Sequence, residues 1–401
     1  MELHLQFGYG MMDHSRVLIE AWAGGTVILS PRDLDPSQLQ RLATSITELP
    51  NGRVLLDPQF YLPDADHDRL TSHPWWPDQY SSGSFWSGTE LRTLVRNLVA
   101  QNQALGCAAL ILPGLFADRV DDDWVSRQDL VVEEGRAASE LPQYLTVALG
   151  ADAVRTNDDL DEVLAAAERW SVYGIYLVAE HPRGDYLISD ATWMANVLDL
   201  VAGLRLKGLQ VIVGYCNHQM LALGCGGANA VASGTWMNVR SFPPMKFRAQ
   251  YEDEIKQRAV WYYAPVALSE FKIPFLDIAQ KQGVLAQLAP PPALVNTYAS
   301  PLFSGAQPSA VKWTEQAAFR HYLYCLRIQI SQTRRATFDE TLAAHERALD
   351  DAEAALAVLR AAGVRGQLRD FAECVDVNRA ALGVLRTTRG GLLKRAWGSL
   401  A

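Results

Sequence analysis

Two carboxylates stand one residue beyond an apolar run: Asp57 after residues 53–56, and Glu180 after residues 174–179. A carboxyl at the end of a buried segment is partly desolvated, which lifts its pKa toward the range useful for proton transfer. Two of them on separate segments could divide acid from base, or nucleophile from base. Equally, each could cap the helix that follows it, or pair with Arg32 or Arg183. Further polar residues follow the ends of these and other runs and would hold a substrate against those acids. They are Gly8 and Tyr9, Arg32, Gln59 and Tyr61, Asn217 and His218, then Ser233, Thr235, Asn238 and Arg240. Ser233-Gly234-Thr235 is suited to an anion through its backbone amides, and Arg32 or Arg240 would supply the matching charge. His14 and His218 open helical stretches, where helix-end or packing roles are the commoner use. The histidines show no spacing such as H-x-H or H-E-x-x-H, so neither a metal nor a cofactor is expected.

Positioning these residues requires a repeating scaffold. Eight apolar runs of strand length recur at 3–7, 26–29, 53–56, 108–112, 144–149, 174–179, 210–214 and 228–232. Most are continuous rather than alternating, the pattern of parallel strands buried on both faces. Between them, residues such as Leu91, Leu94, Val95 and Leu98 recur at helical spacing. This repetition predicts an α/β fold, a (β/α)8 TIM-like barrel over residues 1–240, with its chemistry on the loops that follow the strands. An open doubly wound sheet is the alternative, but it would carry an early glycine fingerprint, and Gly8-Tyr9-Gly10 is too short for one.

Residues 241–312 are rich in aromatics and prolines without clear periodicity, and predict an irregular extension packed on the barrel. Residues 313–401 predict a C-terminal helical region. A first helix covers 313–332, and a second begins at Thr337, with Glu340 closing a capping box. A return helix over 367–385 carries Leu368, Phe371, Val375, Leu382 and Leu385. Leu342, Leu349, Leu356 and Leu359 mark the buried seam of this hairpin. It packs on the barrel or, alternatively, on a second copy or a different chain as a homodimer or hetero-complex.

The chain has 401 residues, 49% hydrophobic and 20% charged, which leaves no room for a collagenous or wholly disordered reading. No apolar run approaches the roughly 20 residues of a membrane span, and Met1-Glu2-Leu3-His4 lacks the features of a secretory leader. Cys107, Cys216, Cys225, Cys325 and Cys374 are widely spaced with no C-x-x-C. That disfavours a disulfide framework or a zinc knuckle and favours a reducing cytoplasm. The net charge of −9 is uneven: from Trp313 onward 13 Lys/Arg face 10 Asp/Glu, whereas the rest has 23 against 35. Such an acidic body meets phosphate backbones poorly without a local basic surface. Arg320, Arg327 and Arg334 would form such a stripe on the first tail helix; the competing expectation is that they pair with the body's acids.

A family pattern is carried by Val211-Ile212-Val213-Gly214, Leu221-Ala222-Leu223 and Gly227-Ala228-Asn229-Ala230-Val231-Ala232-Ser233. These segments resemble strands seven and eight of tRNA-guanine transglycosylase-type barrels. Arg53-Val54-Leu55-Leu56-Asp57 is similar to the strand in that family whose final Asp acts on the exchanged base, and residues 174–180 resemble the strand whose loop contacts that base. The resemblance spans the barrel half of the chain. It implies a transferase, a glycosyltransferase of nucleic-acid modification, whose substrate is a nucleobase, a nucleotide or a nucleic acid. Three departures stand beside it. Pro58-Gln59 replaces the family's glycine pair, Ala232 occupies the position of its nucleophilic Asp, and the C-terminal cysteine-rich zinc segment is missing. The resemblance therefore implies a remote relative in which another carboxylate attacks or transfer has been lost. The same strands also resemble flavin- and phosphate-binding barrels. Two function classes follow: an enzyme with Asp57 and Glu180 catalytic, or a non-catalytic barrel subunit joined to an assembly through its tail; a flavin- or phosphate-binding barrel is a third option.

Overall fold

The computed structural model describes residues 1–250 and 259–400. The eight apolar runs become parallel strands: β1 (Glu2–Gln6), β2 (Gly25–Leu29), β3 (Gly52–Leu56), β4 (Leu110–Leu112), β5 (Gln143–Leu149), β6 (Gly174–Ala179), β7 (Gln210–Val213) and β8 (Ala230–Ser233). Every position of β6 and β8 is buried, as continuous apolar runs require. Their hydrogen-bonded order is β3-β2-β1-β8-β7-β6-β5-β4. Leu5 lies opposite both Val27 and Ser233, which fixes β1 between β2 and β8. Where the path ends, Ala108 N donates to Val54 O at 3.1 Å and links β3 to the approach to β4. The result is a nearly closed (β/α)8 barrel. A two-residue strand, Phe116–Ala117, adds to the end of β5.

Helices α1 (Met11–Ala21), α2 (Pro36–Thr47), α3 (Glu90–Leu105), α4 (Asp122–Ala138), α5 (Asn157–Ala167) and α6 (Ala191–Leu206) cover the outside in turn. Between β7 and β8 the chain makes only a short 3-10 segment, His218–Gly224. The barrel wall is completed there from the far end of the sequence, by α8 and α10 described below.

The aromatic, Pro-rich segment after the barrel includes residues 251–258, which lie outside the described residues. It also contains an antiparallel hairpin, β9 (Trp261–Ala264) and β10 (Ser269–Lys272), followed by α7 (Ile273–Lys281). The sequence did not announce this hairpin because Tyr262, Tyr263 and Phe271 are all buried, so no in–out alternation marks it.

In the tail, α8 (Glu315–Thr333) packs on β1 and α1, and α9 (Phe338–Ala361) leads to α10 (Ala372–Thr388), which lies along α6 and the His218–Gly224 segment. The expected capping box is present: Glu340 N donates to Thr337 Oγ1 and Thr337 N to Glu340 Oε2, each at 3.2 Å. Leu342, Leu349, Leu356 and Leu359 are buried, against the chain's own helices. One expectation is corrected. Leu368 is 91% exposed, because the chain makes a 3-10 turn over Gln367–Arg369, with Gln367 at φ +55°, before α10 begins.

The arginine stripe is turned inward. Arg320 pairs with Asp13, Arg327 donates to Gly24 O and lies 4.4 Å over the Trp22 ring, and Arg334 donates to the carbonyls of Trp397 and Leu400. Among the described residues no helix is long and apolar enough to cross a membrane, and no cluster of three His, Cys, Asp or Glu could hold a metal ion.

Candidate active site

Asp57 leaves β3 at the barrel mouth and is fully buried. Its Oδ2 accepts from three phenols: Tyr61 at 2.7 Å, Tyr215 at 3.2 Å and Tyr176 at 3.3 Å. Its Oδ1 accepts from Gln59 N at 2.9 Å. Burial raises the Asp57 pKa above the ordinary carboxylate value, although the Tyr61 hydroxyl, the Gln59 amide and the nearby Lys246 charge all oppose it. Burial, and then the Asp57 charge, push the phenols of Tyr61, Tyr176 and Tyr215 well above theirs, so they act as donors.

A second layer fixes these groups. Gln59 Nε2 donates to Tyr215 OH and Ser30 Oγ, its Oε1 accepts from Arg32 N, and Tyr176 OH also reaches Gln6 Oε1 at 3.0 Å. Gly214 lets Tyr176 in, since a Cβ there would lie 2.5 Å from its hydroxyl. Gln59 and Tyr215 sit at φ +54° and +55°, a left-handed conformation that costs about 1–3 kcal/mol for a side-chain-bearing residue. Both strained residues touch this one network. The Tyr61 and Tyr215 rings are covered by Phe242, at 5.0 and 5.2 Å between centroids, and Phe247 lies 5.1 Å from Tyr61.

The structure thus brings Asp57, Gln59 and Tyr61 together and places Arg32 beside them, where its Nε donates to Lys246 O and its Nη1 pairs with Asp33. Glu180 follows β6 on the same rim, with a pKa raised first by burial. Its Oε2 accepts from Ala151 N at 3.2 Å, capping the short helix Ala151–Arg155, and no hydrogen bond joins it to Asp57. Asn217 caps the His218–Gly224 segment through Gln219 N. His218 and Arg240 enter a separate buried cluster with Glu270, Tyr186 and Tyr322. The hydroxyls of Ser233 and Thr235 are buried and make no well-formed hydrogen bond among the described residues, and the Asn238 carbonyl accepts from Lys246 Nζ at 3.0 Å. Tyr9 is 62% exposed; a Cβ on Gly8 would lie 2.9 Å from Val239.

Sequence reasoning missed Tyr176, Tyr215, Gln6, Lys246 and Glu270. Tyr176 and Gln6 do carry a signal: each is a polar group inside an otherwise apolar strand, which buries it and obliges it to find a partner.

No protein-family model matches the sequence, and no curated protein matches it. Solved structures with a similar fold include a monomeric dihydrodipicolinate synthase variant, at 10% identity over 82% of this chain and 96% of that one, TM-score 0.36. The carboxyl transferase domain of Rhizobium etli pyruvate carboxylase with 3-bromopyruvate is 14% identical over 86% of this chain and 64% of that one, TM-score 0.37. A Clostridium thermocellum endo-1,4-beta-D-xylanase 10B is 11% identical, TM-score 0.36, over 58% of each chain, so the alignment spans little more than half that protein. The assignment to the (β/α)8 class rests on strand order and register, not on these likenesses.

Proposed function

We propose that this barrel is an enzyme acting on a nucleobase or nucleotide, a transglycosylase-like base-exchange or base-modifying protein, with Asp57 as its acid–base residue. The observation that carries the reading is the Asp57 carboxyl, desolvated at a strand end, raised in pKa and supplied with three phenol donors. In its protonated form Asp57 gives a proton to a ring nitrogen of the leaving base as the glycosidic C–N bond breaks; a ring nitrogen of the incoming base forms the new bond to the same sugar carbon, and its proton returns to the Asp57 carboxylate. Positioned acids of this kind are worth about 10²–10⁴ in rate. Gln59, Tyr176 and Tyr215 hold the carboxyl in place, and a base reaches it by exchanging one of their hydrogen bonds; the aromatic faces beside them suit stacking. Ala232 stands where the resembling family has its nucleophile, so the reading includes no covalent sugar intermediate at that position. Glu180 is the second carboxylate in this scheme, on the rim.

The test is ligand-observed NMR with free bases, nucleosides and nucleotides, on the wild type and on Asp57→Asn. Binding of a purine or pyrimidine that weakens in the variant supports the reading; no binding by any of them sinks it. The non-catalytic reading has one observation of its own, the cover that Phe242 and Phe247 place over Asp57. It requires that Phe242→Ala, which uncovers the site, should also bind none of these ligands.

A further inference from the structure

A second polar cluster sits at the C-terminal ends of β7 and β8, outside the Asp57 network. Gln6 turns into the barrel to meet Tyr176, so strand alternation puts Leu5 and its partner Ser233 on the outer face, toward α8. Arg240 packs against α8, with its guanidinium 3.5 Å over the Tyr322 ring. Arg240 Nε donates to Gly234 O at 2.8 Å, and Nη1 is shared among Tyr186 OH and both Glu270 oxygens at 3.3–3.4 Å. Arg369, from the turn before α10, donates to Glu270 Oε2 at 2.7 Å. Burial opposes ionisation of Glu270, but Arg369 and Arg240 more than offset it and hold its pKa down to about 2.

Among the described residues two guanidinium groups therefore face one carboxylate. Burial lowers the His218 pKa to about 4, so that ring adds no charge near neutral pH. Among the described residues, both ring nitrogens of His218, Ser233 Oγ, Thr235 Oγ1 and Tyr322 OH make no well-formed hydrogen bond, although the Ser233 and Tyr186 hydroxyls lie close enough to Tyr322 OH to act on its titration. Leu268's backbone lies near the His218 ring and favours its protonated form, without making a well-formed bond. His218, Ser233, Thr235, Arg240 and Tyr322 are all 0–2% exposed. Buried donors without well-placed acceptors, beside two guanidinium groups, are unfavourable by themselves and are what an oxyanion relieves.

We propose that this cluster is a phosphate subsite, in which Arg240 and His218, with Ser233, Tyr322 and Thr235, hold the non-bridging oxygens of inorganic phosphate or of a phosphate monoester. The donors come from three elements (β8 with its following loop, the turn after β7, and α8), an arrangement suited to a tetrahedral group rather than a planar carboxylate. The loops after strands seven and eight are also where this fold commonly holds phosphate. The inference does not depend on Asp57 acting on a base.

Calorimetric titration of the full chain with inorganic phosphate, ribose 5-phosphate and acetate tests it, on the wild type, Ser233→Ala and His218→Phe. Ser233→Ala removes only a hydroxyl, and His218→Phe keeps a ring in its aromatic box, so at least one variant should remain folded. Phosphate should bind the wild type and bind each folded variant about tenfold more weakly, the loss expected for one hydrogen bond to a charged group. Tighter binding of ribose 5-phosphate identifies an ester as the ligand, and equal binding identifies free phosphate. Absence of phosphate binding to the wild type, acetate binding as tightly as phosphate, or unchanged affinity in the folded variants would overturn the proposal.

Discussion

At Asp57, burial and hydrogen bonding pull in opposite directions, and burial prevails. Removing the Tyr61 hydroxyl in Tyr61→Phe takes away the shortest bond to Oδ2, so the Asp57 titration should move further up. Carboxyl-selective NMR or infrared titration would detect that movement. Stability follows with a definite sign. An acid whose folded pKa is raised keeps its proton in the fold after the unfolded chain has lost it. Asp57 therefore weakens the fold as pH rises from the ordinary carboxylate value through its raised one. Asp57→Asn removes that penalty and should melt at or slightly above the wild-type temperature near neutral pH; a melting point many degrees lower would mark Asp57 as a structural residue. Asp57, Gln59 and Tyr61 were legible in the sequence because they follow one strand end. Tyr176 and Tyr215 were not, because their partner Asp57 lies 119 and 158 residues away and only barrel closure joins them.

The strands were readable as elements because double-sided burial leaves continuous apolar runs, and α9 because a capping box and a seven-residue seam are local signals. The hairpin Trp261–Ala264 with Ser269–Lys272 was hidden by burial of both its faces. The arginines of α8 look like a basic stripe in the sequence but anchor the helix to the turn before β2 and to residues 397–400. Reversing one of them tests this. Arg327→Glu loses a bond to Gly24 O and the stack on Trp22, together about 1–3 kcal/mol. The melting temperature should drop by a few degrees, while retention on a nucleic-acid column at low salt stays unchanged. Lost retention with unchanged melting would restore the stripe as a binding surface.

Across the whole molecule, the barrel wall near β1 and β7 is supplied by helices from the last ninety or so residues, a join no local pattern could announce. The fold also buries histidines. Burial lowers the pKa of His14, His181, His218, His321 and His345 to about 4. In the unfolded chain each takes up a proton near its ordinary value of roughly 6.5. Their contribution to stability is complete above that value and is lost as pH falls toward 4, because the unfolded state then binds more protons. The melting temperature should fall steeply between about pH 6.5 and pH 4, and replacing His345 with Phe or Leu should make that slope shallower.

The central claim is that Asp57 moves a proton on a nucleobase. Its most direct test is exchange of radiolabelled guanine into bulk tRNA and nucleosides, measured for the wild type and Asp57→Asn in parallel. The account predicts incorporation by the wild type and a loss of about 10²–10⁴-fold in a variant that remains folded. Incorporation at equal rates by both proteins would contradict it, and so would its absence from the wild type with every acceptor.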